Sequence, residues 1–96
     1  MIRVEPLSQD EWLVTVDAAV TTRHRVRVSD ADVRRYGTET TSVEDLLRAS
    51  FRFLLEREPN TSILASFQLS LISRYFPEFE TEIRRYLASK TGPHQT

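Results

Sequence analysis

One helical pattern, in residues 41–59, constrains the fold of this chain more than any other feature. Its apolar residues recur at the spacing of one helical face. They are Val43, Leu46, Leu47, Phe51, Leu54 and Leu55. Phe53 lies off this stripe, so the helix is apolar over more than one narrow seam. Because such a broad apolar surface needs cover from other elements, we predict that this helix is the centre of the core.

Both ends of this helix are marked in the sequence. Thr41 with Glu44 matches a capping box, and Ser42 offers the same arrangement one residue later. Pro59 cannot continue a helix, and it disfavours helical geometry at the residue before it. The sequence therefore predicts a central helix at about 42–58.

The N-terminal part of the chain alternates apolar and polar residues, as β-strands do. In residues 11–17, Trp12 and two valines share one face, and in residues 23–28, His24 and two valines do the same. Antiparallel pairing of these segments brings the valine rows together against the central helix and leaves three arginines in water. Residues 2–5 alternate over a shorter stretch, which suits a third strand at the sheet edge.

Helices are predicted for most of the remaining chain, residues 29–90. A short helix at 30–36 precedes the central one, and the last helix begins near Pro77. Residues 61–76 are compatible with one bent helix or with two short ones. Residues 91–96 are predicted to be a frayed tail.

These elements predict a single α+β domain over residues 1–96. An N-terminal antiparallel β-hairpin, with two or three strands, packs on a helical C-terminal half. The absence of cysteine excludes disulfides, thiolate metal sites and cysteine nucleophiles. No apolar run approaches the roughly 20 residues of a membrane span, and the N-terminus lacks the apolar stretch of a signal peptide. We therefore expect a cytoplasmic protein without a membrane partner.

Positive charge is concentrated in one part of the chain. The formal net charge is −1, yet residues 21–36 hold five arginines and only two aspartates. The arginines are Arg23, Arg25, Arg27, Arg34 and Arg35. Their functional interpretation is a nucleic-acid-binding surface that contacts phosphates or base edges. Their structural interpretation is a solvated strand face with ordinary surface ion pairs.

Aromatic residues are dense in the C-terminal half. The candidates for a partner interface are Phe67, Tyr75, Phe76, Phe79 and Tyr86. They either fill the core around the central helix or form an apolar patch for a partner protein or for a homodimer.

The sequence contains no recognisable catalytic or cofactor motif. There is no His-x-x-x-His, no glycine-rich phosphate loop and no glycine-flanked nucleophilic serine. His24 lies on the predicted core face, where a structural role is expected. The acidic residues Glu78, Glu80 and Glu82 are two apart on a helix, so they do not converge on a metal. We expect no enzyme activity, no cofactor, no metal site and no small-molecule ligand.

Two segments resemble a known group of proteins. The runs VEDLLRASFRFLLEREPNTSIL (43–64) and FQLSLISRYFPEFE (67–80) are similar to a group of short uncharacterised bacterial proteins. The resemblance covers roughly residues 12–88. It implies a bacterial, cytoplasmic protein with one compact domain, and it brings no catalytic residues.

A weaker, partial likeness is to ribbon-helix-helix regulators. In those proteins a strand with outward basic residues enters the DNA major groove as half of a dimeric ribbon. Here the strand would be residues 23–28, followed by helices at 30–36 and 42–58.

The residues support two functional hypotheses. The first is a small non-catalytic bacterial protein that acts as a protein-interaction or regulatory, antitoxin-like module. The second is a DNA-binding transcriptional regulator that uses the strand with Arg23, Arg25 and Arg27.

Overall fold

The computed structural model describes residues 1–91, with the side chains of residues 1–88, and this part of the chain forms a four-stranded sheet. Strands β1 (Ile2–Pro6), β2 (Glu11–Val16) and β3 (Thr22–Arg27) pair antiparallel in sequence order. The last strand, β4 (Ser66–Gln68), runs parallel to β3. The strand order is β1-β2-β3-β4, so β1 and β4 are the two edges.

Helices connect and follow the strands. Helices α1 (Asp30–Tyr36) and α2 (Val43–Leu55) lie between β3 and β4 in the chain, and α3 (Leu71–Tyr75) and α4 (Phe79–Thr91) follow β4. The predicted α+β class, with an N-terminal antiparallel sheet followed by a helical half, is confirmed. The last described residue, 91, belongs to α4, and the rest of the predicted frayed tail at 91–96 lies outside the described residues.

None of these helices, within the described part of the chain, is long and apolar enough to cross a membrane.

Strand alternation places one face of the sheet, here called the inner face, against the helices. On it Val14 pairs with His24, Trp12 pairs with Val26, and Phe67 pairs with Val26 from the other side. The valines and the histidine are buried, as the alternation predicted. The opposite face, here called the outer face, carries Arg3, Glu5, Glu11, Leu13, Thr15, Arg23, Arg25, Arg27, Ser66 and Gln68.

Helix α2 is the central core element, and it buries two adjacent surfaces. The ring of Phe51 packs on the sheet, with its centroid 5.3 Å from His24 and 6.2 Å from Phe67. Phe53 lies on the second surface, and its ring centroid is 5.1 Å from that of Phe79 in α4. Both rings of α2 are fully buried. The off-stripe position of Phe53 in the sequence therefore corresponds to a second packing contact.

Helix α2 is shorter than the predicted 42–58. It starts after Ser42, whose hydroxyl accepts a hydrogen bond from the backbone N–H of Asp45 at 3.0 Å. It ends at Leu55, where the N–H of Arg57 bonds to the carbonyl of Leu54, three residues back, at 2.9 Å instead of to the carbonyl four residues back. This turn takes the chain out of the helix three residues before its predicted end.

Of the two short helices that residues 61–76 could form, the second is present as α3, and the prediction of a helix in the first part of this range is wrong. A 3-10 turn at Asn60–Ser62 and strand β4 precede the short helix α3. Strand β4 forms on the edge of β3 that β2 leaves open: the N–H of Arg25 donates to Ala65 O at 2.8 Å, and the N–H of Leu69 donates to Arg27 O at 2.9 Å. A strand of three residues is too short for alternation to reveal it.

Helix α1 ends at Gly37, as predicted, but glycine is needed there for space rather than for a left-handed backbone. Its φ is −107°. A β-carbon at this position would lie 2.9 Å from Cβ of Thr41 and 3.0 Å from the carbonyl oxygen of Val33. Contacts this short force the neighbouring atoms to move, so the turn into α2 depends on the missing side chain.

Candidate functional site

An apolar groove lies between the end of α2, helix α3 and the edge strand β4. Its cavity volume is about 360 Å³. The lining residues are Leu54, Glu58, Ser62, Ile63, Leu64, Phe67, Leu71, Ile72, Tyr75 and Phe76. Eight of these ten side chains are aliphatic or aromatic, so the groove offers mainly apolar contacts. Its volume falls within the range of ligand-binding pockets, about 300 to 1,000 Å³.

The five predicted interface aromatics separate into two groups. Phe67, Tyr75 and Phe76 line the groove, and Tyr75 keeps 66% of its surface exposed. Phe79 is fully buried, so it is a core residue and presents no surface to a partner. Tyr86 is half-buried, with its ring centroid 5.7 Å from that of Phe53.

Several residues of the groove were not predicted from the sequence. Leu64 is 48% exposed on its rim, although it was expected inside a short helix. Leu71 and Glu58 were not singled out either. The signal that was available is the apolar pair Ile63-Leu64 close after Pro59 and Asn60, because proline and asparagine favour turns, and turns lie at the surface.

One wall of the groove is held by contacts around Arg57. Its guanidinium lies 3.6 Å from the ring centroid of Phe53, and its Nε donates to Glu78 Oε2 at 3.1 Å. The pKa of Glu78 lies below its usual value because its own backbone N–H, and then Arg57, stabilise the carboxylate. These contacts tie the end of α2 to the start of α4, close to Phe76.

The hydroxyl of Tyr86 is engaged in the same cluster. It donates a hydrogen bond to Oε1 of Glu56. Burial and this carboxylate raise the pKa of Tyr86, and Arg57 opposes the shift. Because both the ring and the hydroxyl of Tyr86 are used inside the chain, this residue joins α2 to α4 and does not line the groove.

The other wall of the groove is held by a hydrogen-bonded network around His24. Its Nδ1 lies 2.7 Å from the carbonyl oxygen of Leu64, and its Nε2 lies 2.8 Å from Thr22 Oγ1. Asn60 Nδ2 donates to Thr22 Oγ1 and to Val20 O, each at 2.8 Å. The network joins β3 to the segment that carries Leu64.

This network assigns the histidine tautomer. A carbonyl oxygen only accepts hydrogen bonds, so Nδ1 of His24 carries the proton towards Leu64. The Thr22 oxygen already accepts from Asn60, and its own proton is then available to Nε2. His24 is 2% exposed. His24 therefore lies in the core, as expected from the sequence, and both of its ring nitrogens are hydrogen-bonded there.

A second candidate site lies on the outer face of the sheet. Arg23, Arg25 and Arg27 are exposed there, and we call these three residues the arginine row. None of them forms an ion pair with another residue of the described chain, whereas Arg3 on the same face lies 3.5 Å from Asp17. The row spans roughly 13 Å along β3.

Arg34 and Arg35 do not continue the arginine row. Both lie on α1, which packs against α2 and α4. Arg35 is ion-paired with Glu80 of α4. Arg34 is exposed. Arg35 is therefore engaged inside the chain, and only Arg23, Arg25 and Arg27 of the five candidate arginines share one face of the sheet.

Strand β3 has both edges occupied by strands of the same chain, β2 on one side and β4 on the other. In a ribbon-helix-helix dimer the basic strand pairs with its copy in the partner subunit. In this fold β3 has no free edge for such pairing, so the arginine row is presented on a sheet face.

The three glutamates near the last helix are held by three different arginines. Glu78 pairs with Arg57 on α2, and Glu80 pairs with Arg35 on α1. Glu82 pairs with Arg85 on α4 itself. Among the described residues no three histidine or acidic side chains come together as potential metal ligands.

Comparisons of this chain with protein-family models, with curated proteins and with solved structures found no match.

Proposed function

We propose that this chain is a small non-catalytic module that binds a partner protein in the apolar groove. The observation that carries the proposal is the combination of a 360 Å³ apolar cavity with two large exposed side chains at its rim, Leu64 and Tyr75. Exposed apolar surface of this kind marks protein interaction sites, and aromatic residues are enriched in them.

The contacts that hold the two walls of the groove support the same proposal. The network of His24 fixes one wall, and the contacts of Arg57 fix the other. A surface that is ordered before binding loses less conformational entropy when a partner arrives, so more of the contact energy appears as affinity.

The biological setting of this proposal rests on the resemblance to short bacterial proteins. We place the binding activity in the bacterial cytoplasm, in a regulatory, antitoxin-like role. A partner protein of a different sequence and a second copy of the chain are both compatible with an apolar groove.

The proposal predicts that replacing Leu64 and Tyr75 together by serine abolishes or strongly weakens partner binding. Because both side chains are exposed, the fold should remain intact. A partner captured by the wild-type chain from its native cells is identified and purified, and its affinity is measured by calorimetry. We expect the affinity of the variant for the partner to fall at least about tenfold, which corresponds to about 1.4 kcal/mol of binding free energy. Equal affinity for the two proteins would contradict the proposal.

A matched control is the replacement of Val20 by serine. Val20 is also an exposed apolar residue, 57% accessible, and it does not line the groove. The control should bind the partner as the wild-type chain does, and a loss of binding there would mean that the contact surface lies elsewhere.

A second candidate function is nucleic-acid binding by the arginine row. The specific observation is that these three exposed arginines, on one sheet face, have no ion-pair partner in the described chain. We then expect measurable binding to duplex DNA that weakens steeply between about 50 and 200 mM salt, because bound phosphates release counterions.

The arginine-row prediction is tested by a gel shift across a salt series. Replacing Arg23, Arg25 and Arg27 together by serine should abolish the shift. A control with the same net charge replaces Arg74, Arg84 and Arg85 by serine, and it should bind DNA as the wild-type chain does. Absence of a shift at low salt, or equal loss in the two triple variants, would exclude site-specific contact by the row.

A further inference from the structure

We propose that the partner segment binds as a fifth strand on the open edge of β4, with its apolar side chains in the groove and acidic side chains on the outer face near Arg25 and Arg27. This inference rests on the proposed function, and it adds the binding mode and the chemistry of the segment.

The backbone of β4 is available on one side. The sheet ends at β4, which pairs only with β3. The N–H of Arg25 donates to Ala65 O and the N–H of Leu69 donates to Arg27 O, so residues 65, 67 and 69 point towards β3. Because backbone groups alternate in direction along a strand, the N–H and C=O groups of Ser66 and Gln68 point to the open side.

Such an edge is a template for strand addition. Unpaired N–H and C=O groups at the edge of a sheet pair readily with an extended segment of another chain, and this is a common mode of peptide recognition. The other segments of the described chain make no backbone hydrogen bond to Ser66 or Gln68. An incoming strand therefore finds both residues ready to donate and accept.

The groove lies where the inner-face side chains of a fifth strand would be. Phe67 is the inner-face residue of β4, and it lines the groove. The next strand would run about 4.8 Å farther out, and its inner-face residue would then extend towards Leu71 and Tyr75 across the cavity. Main-chain hydrogen bonds and an apolar pocket are thus combined at one edge, as strand addition requires.

The outer face specifies the charge of the partner. Ser66 pairs with Arg25 and Gln68 pairs with Arg27, so β4 presents two neutral side chains beside two arginines. Glu11 faces Arg27 from β2 and forms no ion pair with it, so the two arginines leave a net positive charge at this edge. Outer-face residues of an added strand lie next to Ser66 and Gln68 and two strand spacings, about 10 Å, from β3, a distance that a long arginine side chain and an acidic side chain span together. Acidic residues at these positions gain attraction, and basic ones are repelled.

The resulting motif is an extended segment in which large apolar residues alternate with aspartate or glutamate. The other edge strand of a second copy fits this motif less well. In β1 the apolar residues Ile2 and Val4 already pack on the chain's own core, and the outer face carries one basic residue, Arg3, and one acidic residue, Glu5. A second copy would therefore bring no net negative charge to the arginine row, so we assign the edge to a different protein.

The test uses two synthetic nine-residue peptides, one alternating leucine with glutamate and one alternating leucine with lysine. Fluorescence polarisation measures their affinity for the full chain. The glutamate peptide should bind at least about tenfold more tightly than the lysine peptide. Amide hydrogen exchange, followed by NMR, should slow at Ser66 and Gln68 when the glutamate peptide binds. Equal affinity of the two peptides would overturn the assigned charge.

Strand addition itself is tested on the peptide backbone. Two versions of the glutamate peptide carry N-methyl groups on alternate amides, in the two possible phases. Only one phase removes the N–H groups that face β4, so one version should lose binding by at least about tenfold and the other should retain it. Equal behaviour of the two versions would overturn the strand mode.

The protein side is tested with Gln68→Pro, which removes an N–H that points to the open side and leaves the bonds to β3. Gln68→Ala is the matched control. Suppose that replacing Leu64 and Tyr75 abolishes binding of the natural partner, that Gln68→Pro does not, and that the two N-methylated peptides bind equally. That result contradicts strand addition and leaves the proposed function in place. If no substitution in the groove changes partner binding, both strand addition and the proposed function are contradicted. If the chain self-associates in sedimentation and Gln68→Pro abolishes that association, the partner on this edge is a second copy of the chain and not a different protein.

Discussion

Replacing Phe53 by alanine lowers the free energy of unfolding by about 3 to 5 kcal/mol. The ring is fully buried, and it makes edge contacts with Phe76, Phe79 and Tyr86 at centroid distances of 6.0, 5.1 and 5.7 Å. The guanidinium of Arg57 lies 3.6 Å from the ring centroid. Truncation leaves a cavity at the junction of α2 and α4 and removes both the aromatic and the cation–π contacts.

Urea unfolding, followed by circular dichroism, measures this loss. The matched control is Tyr75→Ala, because that ring is mostly exposed and its removal should change stability by less than about 0.5 kcal/mol. A domain of this size has a total stability of only about 5 to 15 kcal/mol, so Phe53→Ala brings the chain close to the limit of folding. Phe53→Leu retains part of the volume and should show a smaller loss in the same direction. Wild-type stability in both variants at position 53 would contradict the described packing.

Replacing His24 by alanine destabilises the chain by about 3 kcal/mol and also weakens binding in the groove. The first effect combines a cavity beside Phe51 with the loss of two hydrogen bonds in a buried setting. The second effect arises because the imidazole holds the carbonyl of Leu64, and Leu64 forms the rim of the groove. His24 does not line the groove itself, so any change in affinity is transmitted through position 64.

A second variant separates packing from hydrogen bonding. His24→Leu keeps the apolar volume and leaves the Leu64 carbonyl without its donor, so it should cost about 1 to 3 kcal/mol. Both variants are measured by urea unfolding and by the affinity of the glutamate–leucine peptide. Unchanged peptide affinity in two destabilised but folded variants would show that the network does not position the rim.

Much of the fold was predictable from local sequence patterns. The apolar stripe of α2 and the alternating residues of β2 and β3 repeat over enough positions to be distinguished from chance. The three elements were therefore predicted with small errors at their ends. The end of α2 was misplaced because a turn at the carbonyl of Leu54 competes with helix continuation, and no residue before Pro59 indicates it.

The candidate site was predictable only in part. Three of the five proposed interface aromatics do line the groove, because aromatic density in a short chain exceeds what its core can bury. Phe79 and Tyr86 follow the core-filling alternative, which the sequence left open because a helical stripe has the same spacing whether it faces the core or a partner. Arg35 follows the alternative of an ordinary surface ion pair, and its partner Glu80 lies 45 residues away in the chain.

The sequence by itself determined the central helix, the two long strands and the exposure of Arg23, Arg25 and Arg27, because each depends on a period that neighbouring residues carry. Only the tertiary structure decided that Ser66–Gln68 is a strand, since this segment becomes one by pairing with the open edge of β3. The groove has the same origin. Its walls are joined by contacts such as His24 to Leu64, 40 residues apart, and no local pattern records a contact between segments that meet only after folding.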